Sequence, residues 1–262
     1  MDGIVIAINP IALDLGFVTI RWYGIAIALG IAQGIGLTAQ EARRRGISED
    51  AIYSVATWSI AAALIGARVF HVVDRIDFYI QNPLAILALN QGGLAIWGGT
   101  LTGILVGVFY CRRARLPVAT VADIAAPGIL IGQIIGRLGC IVNGDAFGGP
   151  LSAPWAFTYV HADALIPDLG VPTHPYPLYE IVWNGALLIG LWRFRRAAPP
   201  PGVLFLVFLI VYGVGRFLLT FVRQETIVVA GLQQAQAIAI IVVLVAVPLL
   251  LRQLRPPRSH AV

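Results

Sequence analysis

Residues 202–222 read GVLFLVFLIVYGVGRFLLTFV, 21 residues with one charge, Arg216. About 20 apolar residues in a helix match the thickness of a bilayer's hydrocarbon core. This stretch therefore predicts a membrane span with an arginine inside it. Other charge-poor runs lie at about 17–40, 51–73, 92–111, 118–142, 177–192 and 232–251. Together they predict an all-α integral membrane protein with seven transmembrane helices, one polytopic domain over residues 1–262. Composition agrees: 58% of the chain is hydrophobic and 12% charged, against roughly 25% charged in soluble domains. That balance excludes an ordinary soluble protein and a disordered chain. It also argues against a nucleic-acid partner.

All 18 basic residues are arginine, and the net charge is +5. Arg43, Arg44 and Arg45 follow the first run, and Arg112, Arg113 and Arg115 the third. Arg193, Arg195 and Arg196 follow the fifth, and Arg252, Arg255 and Arg258 the seventh. With seven spans these twelve share one side, which the positive-inside rule makes cytoplasmic. The N-terminus is then outside and the C-terminus inside. Residues 74–91 are long enough for a short interfacial helix. Residues 143–176, rich in Gly, Pro and aromatics, predict an ordered external loop or head. The Met-Asp-Gly start has no positive n-region, so no cleavable signal peptide is expected. Cys111 and Cys140 fall at opposite ends of neighbouring spans, about 30 Å apart, and no disulfide is expected.

The other six arginines are the informative ones. Arg21, Arg68, Arg75, Arg137, Arg216 and Arg223 all map to the outer half, where topology does not ask for them. At 1.5 Å per residue, Arg68, Arg137 and Arg216 lie about 26, 28 and 21 Å from the cytoplasmic ends of their spans. An arginine in the bilayer costs on the order of 3 kcal/mol on insertion scales. Something anionic meets them: an acid such as Asp74, Asp145 or Glu180, a headgroup, or a ligand phosphate. On an ideal helix Tyr212, Arg216 and Arg223 fall within about 40° of one another, a polar face suited to a phosphoglycerol group. Gly132, Gly136 and Gly139 open the backbone of the fourth span to another helix or to a ligand.

Several segments resemble one family. GQIIGRLGCIVNGDAFG, residues 132–148, is similar to the GRxGNFxNGExxG segment of bacterial prolipoprotein diacylglyceryl transferases. IRWYGIAIALG from Ile20, GARVFHVV from Gly66 and QGGLAIWGG from Gln91 resemble that family's first three spans. HPYPLYE from His174 resembles HPxQLYE, and YGVGRFLLTFVR from Tyr212 resembles YGxxRFxxEFxR. The resemblance implies transfer of the diacylglyceryl group of phosphatidylglycerol to the lipobox cysteine of a prolipoprotein signal peptide. A thioether forms and glycerol phosphate leaves, with no metal or organic cofactor. It also implies a multi-pass protein of the bacterial cell membrane with its active site toward the outer leaflet. Carried over by position, Arg137 and Arg216 are the essential arginines, with Tyr23, Asn143 and Tyr212 catalytic and Gly148 tied to activity. Asp145, Arg68 and Glu180 complete the expected substrate-binding set.

The sequence departs from the family's pattern in places. Cys140 stands for an asparagine, Asp145 for a glutamate, Trp97 for a histidine considered as a base, and Pro177 for a glutamine. Cys140 is expected to be a packing residue. The thiol's proton acceptor then stays open between Asp145, Glu180, His71, His174 and the lipid's own phosphate. Alternatively, the arginines' positive potential lowers the thiol pKa without a base. Competing functions fit less well. A permease for an anionic solute or lipid would use the same arginines, but no internal repeat is visible. A CDP-alcohol phosphatidyltransferase needs metal-binding aspartates at fixed spacing. An intramembrane protease needs a Ser/His or paired-Asp site.

Overall fold

The computed structural model describes residues 3–16, 18–87, 92–223, 227–229 and 231–254. Phe17, Gln91, Arg255 and Arg258, each used above, lie outside them. The chain is mostly helical. Among the described residues, seven helices of 17 residues or more stand where the seven apolar runs are. They are α1 (Trp22–Arg44), α2 (Glu49–Asp74), α4 (Ile96–Arg113), α5 (Val118–Asn143), α6 (Tyr176–Phe194), α7 (Val203–Leu219) and α8 (Gln234–Gln253). The short α3 (Ile76–Gln81) and a 3-10 turn at Pro83–Leu87 occupy the expected interfacial segment.

Among the described residues, five helical segments are long and apolar enough to cross a membrane: Trp22–Arg44, Glu49–Asp74, Val118–Asn143, Val203–Val222 and Gln234–Gln253. Helices α4 and α6 are not in this set. Arg112 and Arg113 end α4, while Glu180, Trp183 and Asn184 lie within α6. Large apolar side chains such as Ile65, Phe109, Ile241 and Leu244 are exposed on the helices. Such surfaces are stable against hydrocarbon rather than water.

The all-helical expectation gives way near the N-terminus and in the loop after α5. Strand β1 (Ile4–Ile6) pairs in parallel with β4 (Phe157–Tyr159), and β4 pairs antiparallel with β5 (Pro172–Thr173). A hairpin joins β2 (Ile11–Asp14) to β3 (Thr19–Arg21), so the first helix starts later than the apolar run. A second hairpin, β6 (Ile227–Val229) with β7 (Leu232–Gln233), precedes α8. Phe157, Tyr159 and Ile166 form a small core beneath β4, joined by Ile6, Phe147 and Leu178.

The chain forms two compact units, Met1–Gly36 with Ala122–Val262, and Leu37–Val121. In the first, α1 and α5 approach through glycines. A Cβ on Gly30 would stand 2.7 Å from the Gly132 carbonyl oxygen, and one on Gly34 2.6 Å from that of Gly128. Gly132 is thus a helix-packing position, as is Gly139, whose Cβ would stand 2.7 Å from the Ala26 Cβ. Ala126, Leu130, Leu187, Leu191, Leu204 and Phe208 join α5, α6 and α7 in one apolar core. In the second unit, Gly99 and Gly103 of α4 lie against Ala63 of α2, and Gly107 against Ser59.

One charged residue inside α5 has a structural task. Asp123 is 1% exposed and accepts from the backbone N–H groups of Gly202 (2.7 Å) and Phe205 (2.8 Å). It thereby caps the N-terminus of α7 from a neighbouring helix, where negative charge is favoured. Replacing Asp123 by Ala is expected to destabilise the protein by about 1–3 kcal/mol, because those donors lose their acceptor. Thermal unfolding in detergent measures the loss, and Asp123→Asn, which retains one acceptor, should lose less.

Candidate active site

Three helices of the first unit each bring one charge to the same place. Glu180 on α6 is 4% exposed. Its Oε2 pairs with Nε of Arg137 on α5, and its Oε1 accepts from Nη1 of Arg216 on α7 at 2.7 Å. Both arginine side chains are mostly covered, at 22% and 20% exposure. The acid expected as one of several partners for the arginines is therefore shared by Arg137 and Arg216. Two guanidiniums on one carboxylate leave a net positive charge and several N–H donors for a further anion.

Tyr176 was not singled out by the sequence reading, yet it lies at the centre of this cluster. It is fully buried, one helical turn before Glu180. Its hydroxyl donates to Glu180 Oε1 at 3.1 Å and accepts from Arg216 Nη1 at 2.5 Å. Its ring has the guanidinium carbons of Arg137 and Arg216 at 5.9 Å and that of Arg223 at 5.2 Å from the centroid. Such contacts are worth about 0.5–2 kcal/mol each. The signal that could have found Tyr176 is its i, i+4 spacing to Glu180 between two prolines.

The helical face drawn through Tyr212, Arg216 and Arg223 needs correction. Helix α7 ends at Leu219, Thr220–Val222 is a 3-10 turn, and Arg223 is extended. Arg223 reaches Tyr176 because the backbone leaves the helix there. Tyr212 stays on α7, one turn before Arg216 and stacked on Phe208 at 5.6 Å.

The end of α5 carries the other expected residues. Asn143 is its last residue, and its Oδ1 accepts from Arg21 Nη1 at 3.2 Å. Arg21 also donates to the Asp163 carbonyl at 3.1 Å. Gly144 turns the chain with φ +74°, and its N–H donates to the Cys140 carbonyl at 2.9 Å. Asp145 follows, with Oδ1 buried and without a hydrogen-bond partner among the described residues. Tyr23 lies in the first turn of α1, where its Cα would be 3.0 Å from a Cβ on Gly139. Gly148 is a close backbone approach: a Cβ there would stand 2.6 Å from the Val222 carbonyl oxygen and 2.7 Å from the His174 Cβ.

Arg68 belongs to the second unit. Its guanidinium donates to the carbonyls of Ala85 (2.5 Å), Ile86 (2.9 Å), Gly92 (2.7 Å) and Gly93 (2.9 Å). It is 8% exposed. Trp97, in the first turn of α4, is 42% exposed.

A sequence model of the family described as prolipoprotein diacylglyceryl transferase matches residues 10–252. The chain belongs to this family. It is 38% identical over 251 residues to a phosphatidylglycerol–prolipoprotein diacylglyceryl transferase of Lysinibacillus sphaericus (strain C3-41), covering 94% of this chain and 92% of that protein. A protein of the same name from Thermosynechococcus vestitus is 36% identical over 236 residues, covering 88% and 87%. One from Bacillus cytotoxicus is 34% identical over 248 residues, covering 94% and 92%.

Within the diacylglyceryl transferase family's pattern, two departures gain a physical context. Thr220 stands where the quoted YGxxRFxxEFxR segment has glutamate. It is fully buried and donates to the Arg216 carbonyl at 2.5 Å. Cys140, standing for asparagine, is buried, with its Sγ 3.6 Å from Arg137 Nη1. A thiol is a weak acceptor, and an Asn carbonyl oxygen can take the same bond. Cys140→Asn is therefore expected to keep most of the enzyme's activity, measured as turnover in membranes. Complete loss would instead make the thiol itself a reactant.

Proposed function

We propose that this protein moves the diacylglyceryl group of phosphatidylglycerol onto the lipobox cysteine of a prolipoprotein signal peptide. A thioether forms and glycerol phosphate is released. The observation that carries this reading is the pair of guanidiniums, Arg137 and Arg216, held on one buried carboxylate at the junction of three helices. Their outward N–H groups can hold a lipid phosphate. As the glycerol carbon–oxygen bond breaks, a second negative charge develops on that phosphate. Fixed positive charge in a water-poor site then stabilises the transition state more than the ground state. Tyr176 and Glu180 keep the guanidiniums in place. Tyr23, Asn143 and Tyr212 supply the neighbouring polar groups, while Gly148 lets the head's backbone close over the end of α7.

Around this site we place seven spans, with the N-terminus outside and the C-terminus in the cytoplasm. Four arginine clusters support that orientation. The protein then resides in the bacterial plasma membrane with its site toward the outer leaflet, where a lipid and a signal peptide enter laterally from the bilayer. We leave Arg68 out of the phosphate site, because four backbone carbonyls already use its donors. The test is incubation of the purified protein with phosphatidylglycerol and a lipobox peptide. The expected result is a peptide heavier by one diacylglyceryl group, with an equal amount of glycerol phosphate. Neither product appearing would overturn the reading.

A further inference from the structure

We propose that Asp145 is the proton acceptor for the incoming cysteine thiol, a step that rests on the transfer reaction proposed above. A thiol of pKa about 8.5 is mostly protonated at neutral pH and attacks carbon as the thiolate. The structure separates the groups that could take the proton. Glu180 has both carboxylate oxygens engaged by Arg137, Arg216 and Tyr176. Taking a proton there would break the ion pairs that hold the phosphate site. His174 Nδ1 lies 3.3 Å from the Tyr179 hydroxyl, and its backbone is tied to Gly148 and Gly149, so it braces the loop. His71 lies edge-on to Tyr79 at 5.9 Å.

Asp145 differs from these. Its Oδ1 is buried and has no hydrogen-bond donor among the described residues. A buried acceptor without a donor is unfavourable, and it is satisfied when a substrate group brings the proton. Its location suits that substrate. The turn at Gly144 folds back onto the last turn of α5, the helix that carries Arg137. Cys140 and Tyr23 lie within range of the charges of both Asp145 and Arg137. On the head side, burial and then the Asp145 charge push the Tyr159 hydroxyl well above its usual range. The carboxylate thus lies within electrostatic reach of Tyr23, Cys140 and Tyr159, on the turn that follows the helix carrying Arg137.

The step balances with the groups present. The S–H proton moves to Asp145 Oδ1 as the sulfur–carbon bond forms. The glycerol carbon–oxygen bond breaks, and its electron pair stays on the phosphate oxygen. The proton leaves Asp145 with the departing glycerol phosphate.

The experiment compares wild type, Asp145→Asn and Asp145→Glu in the phosphatidylglycerol and peptide assay. Asp145→Asn should lose about 100-fold or more at pH 7, the range of one general base. Its residual rate should climb about tenfold per pH unit below the thiol's pKa, following thiolate, while wild type stays flatter. Asp145→Glu should keep most of the rate. A peptide carrying selenocysteine, already ionised at pH 7, should erase the difference between wild type and Asp145→Asn. Full activity of Asp145→Asn with the cysteine peptide would overturn the proposal and move the proton to the lipid's own phosphate. A deficit that persists with selenocysteine would also overturn it, leaving Asp145 a structural role. A wild-type protein inactive with both peptides would instead refute the transfer reaction.

Discussion

Replacing Arg137 or Arg216 by Ala should abolish diacylglyceryl transfer while the protein still folds in the membrane. Loss of one preorganised donor at a developing oxyanion costs about 10²–10³ in rate. Each guanidinium supplies a full charge and several donors, so each deletion should reach the upper end of that range or exceed it. Folding should survive, because one guanidinium and one carboxylate remain as a balanced pair. Without Arg137, Glu180 keeps Arg216 and the Tyr176 hydroxyl. Without Arg216, it keeps Arg137. Lysine at either position restores charge but not the planar fork, so partial activity is expected. The measurement is kcat/KM for phosphatidylglycerol, alongside thermal unfolding of each variant. An Arg137→Ala protein with wild-type turnover would remove the phosphate site from this cluster.

Sequence disclosed these two arginines because intramembrane charge is conspicuous against an apolar background. The helices were equally legible. A run near 20 apolar residues is a strong signal, and the expected span 118–142 differs from α5 by one residue at its end. Pairings between distant segments were not legible. Strand β1 is too short to show alternation, and its partner β4 lies some 150 residues away. Arg68 looked like a ligand-binding arginine on depth alone. Nothing in its sequence neighbourhood shows that the carbonyls of Ala85, Ile86, Gly92 and Gly93 meet it. Tyr212, Arg216 and Arg223 share a face on an ideal helix, but the helix ends before Arg223. The shared counter-ion was the hardest part to see. Glu180 gains its role only when α5 and α7 flank α6, which no local pattern states.

That shared carboxylate yields the second large effect. Glu180→Leu should destabilise the protein by about 3–5 kcal/mol, the usual result of removing one partner from a buried ion cluster. Two mostly covered guanidiniums would then face each other without a counter-ion. Glu180→Gln should help little. Its carboxamide keeps the size but turns one acceptor into an N–H donor aimed at donors. Transfer should fail in both variants even where the chain still folds, because repulsion spreads the two arginines. A third variant separates stability from chemistry. Arg137→Met, Arg216→Met and Glu180→Leu together remove all the buried charge, and well-packed apolar replacements of buried ion clusters are often neutral or stabilising. The triple variant should therefore unfold at a higher temperature than Glu180→Leu alone and still transfer nothing. If it is no more stable than Glu180→Leu, the cluster's energetics are not those of a buried charge network. If Glu180→Leu retains both stability and turnover, the arginines do not depend on a shared counter-ion.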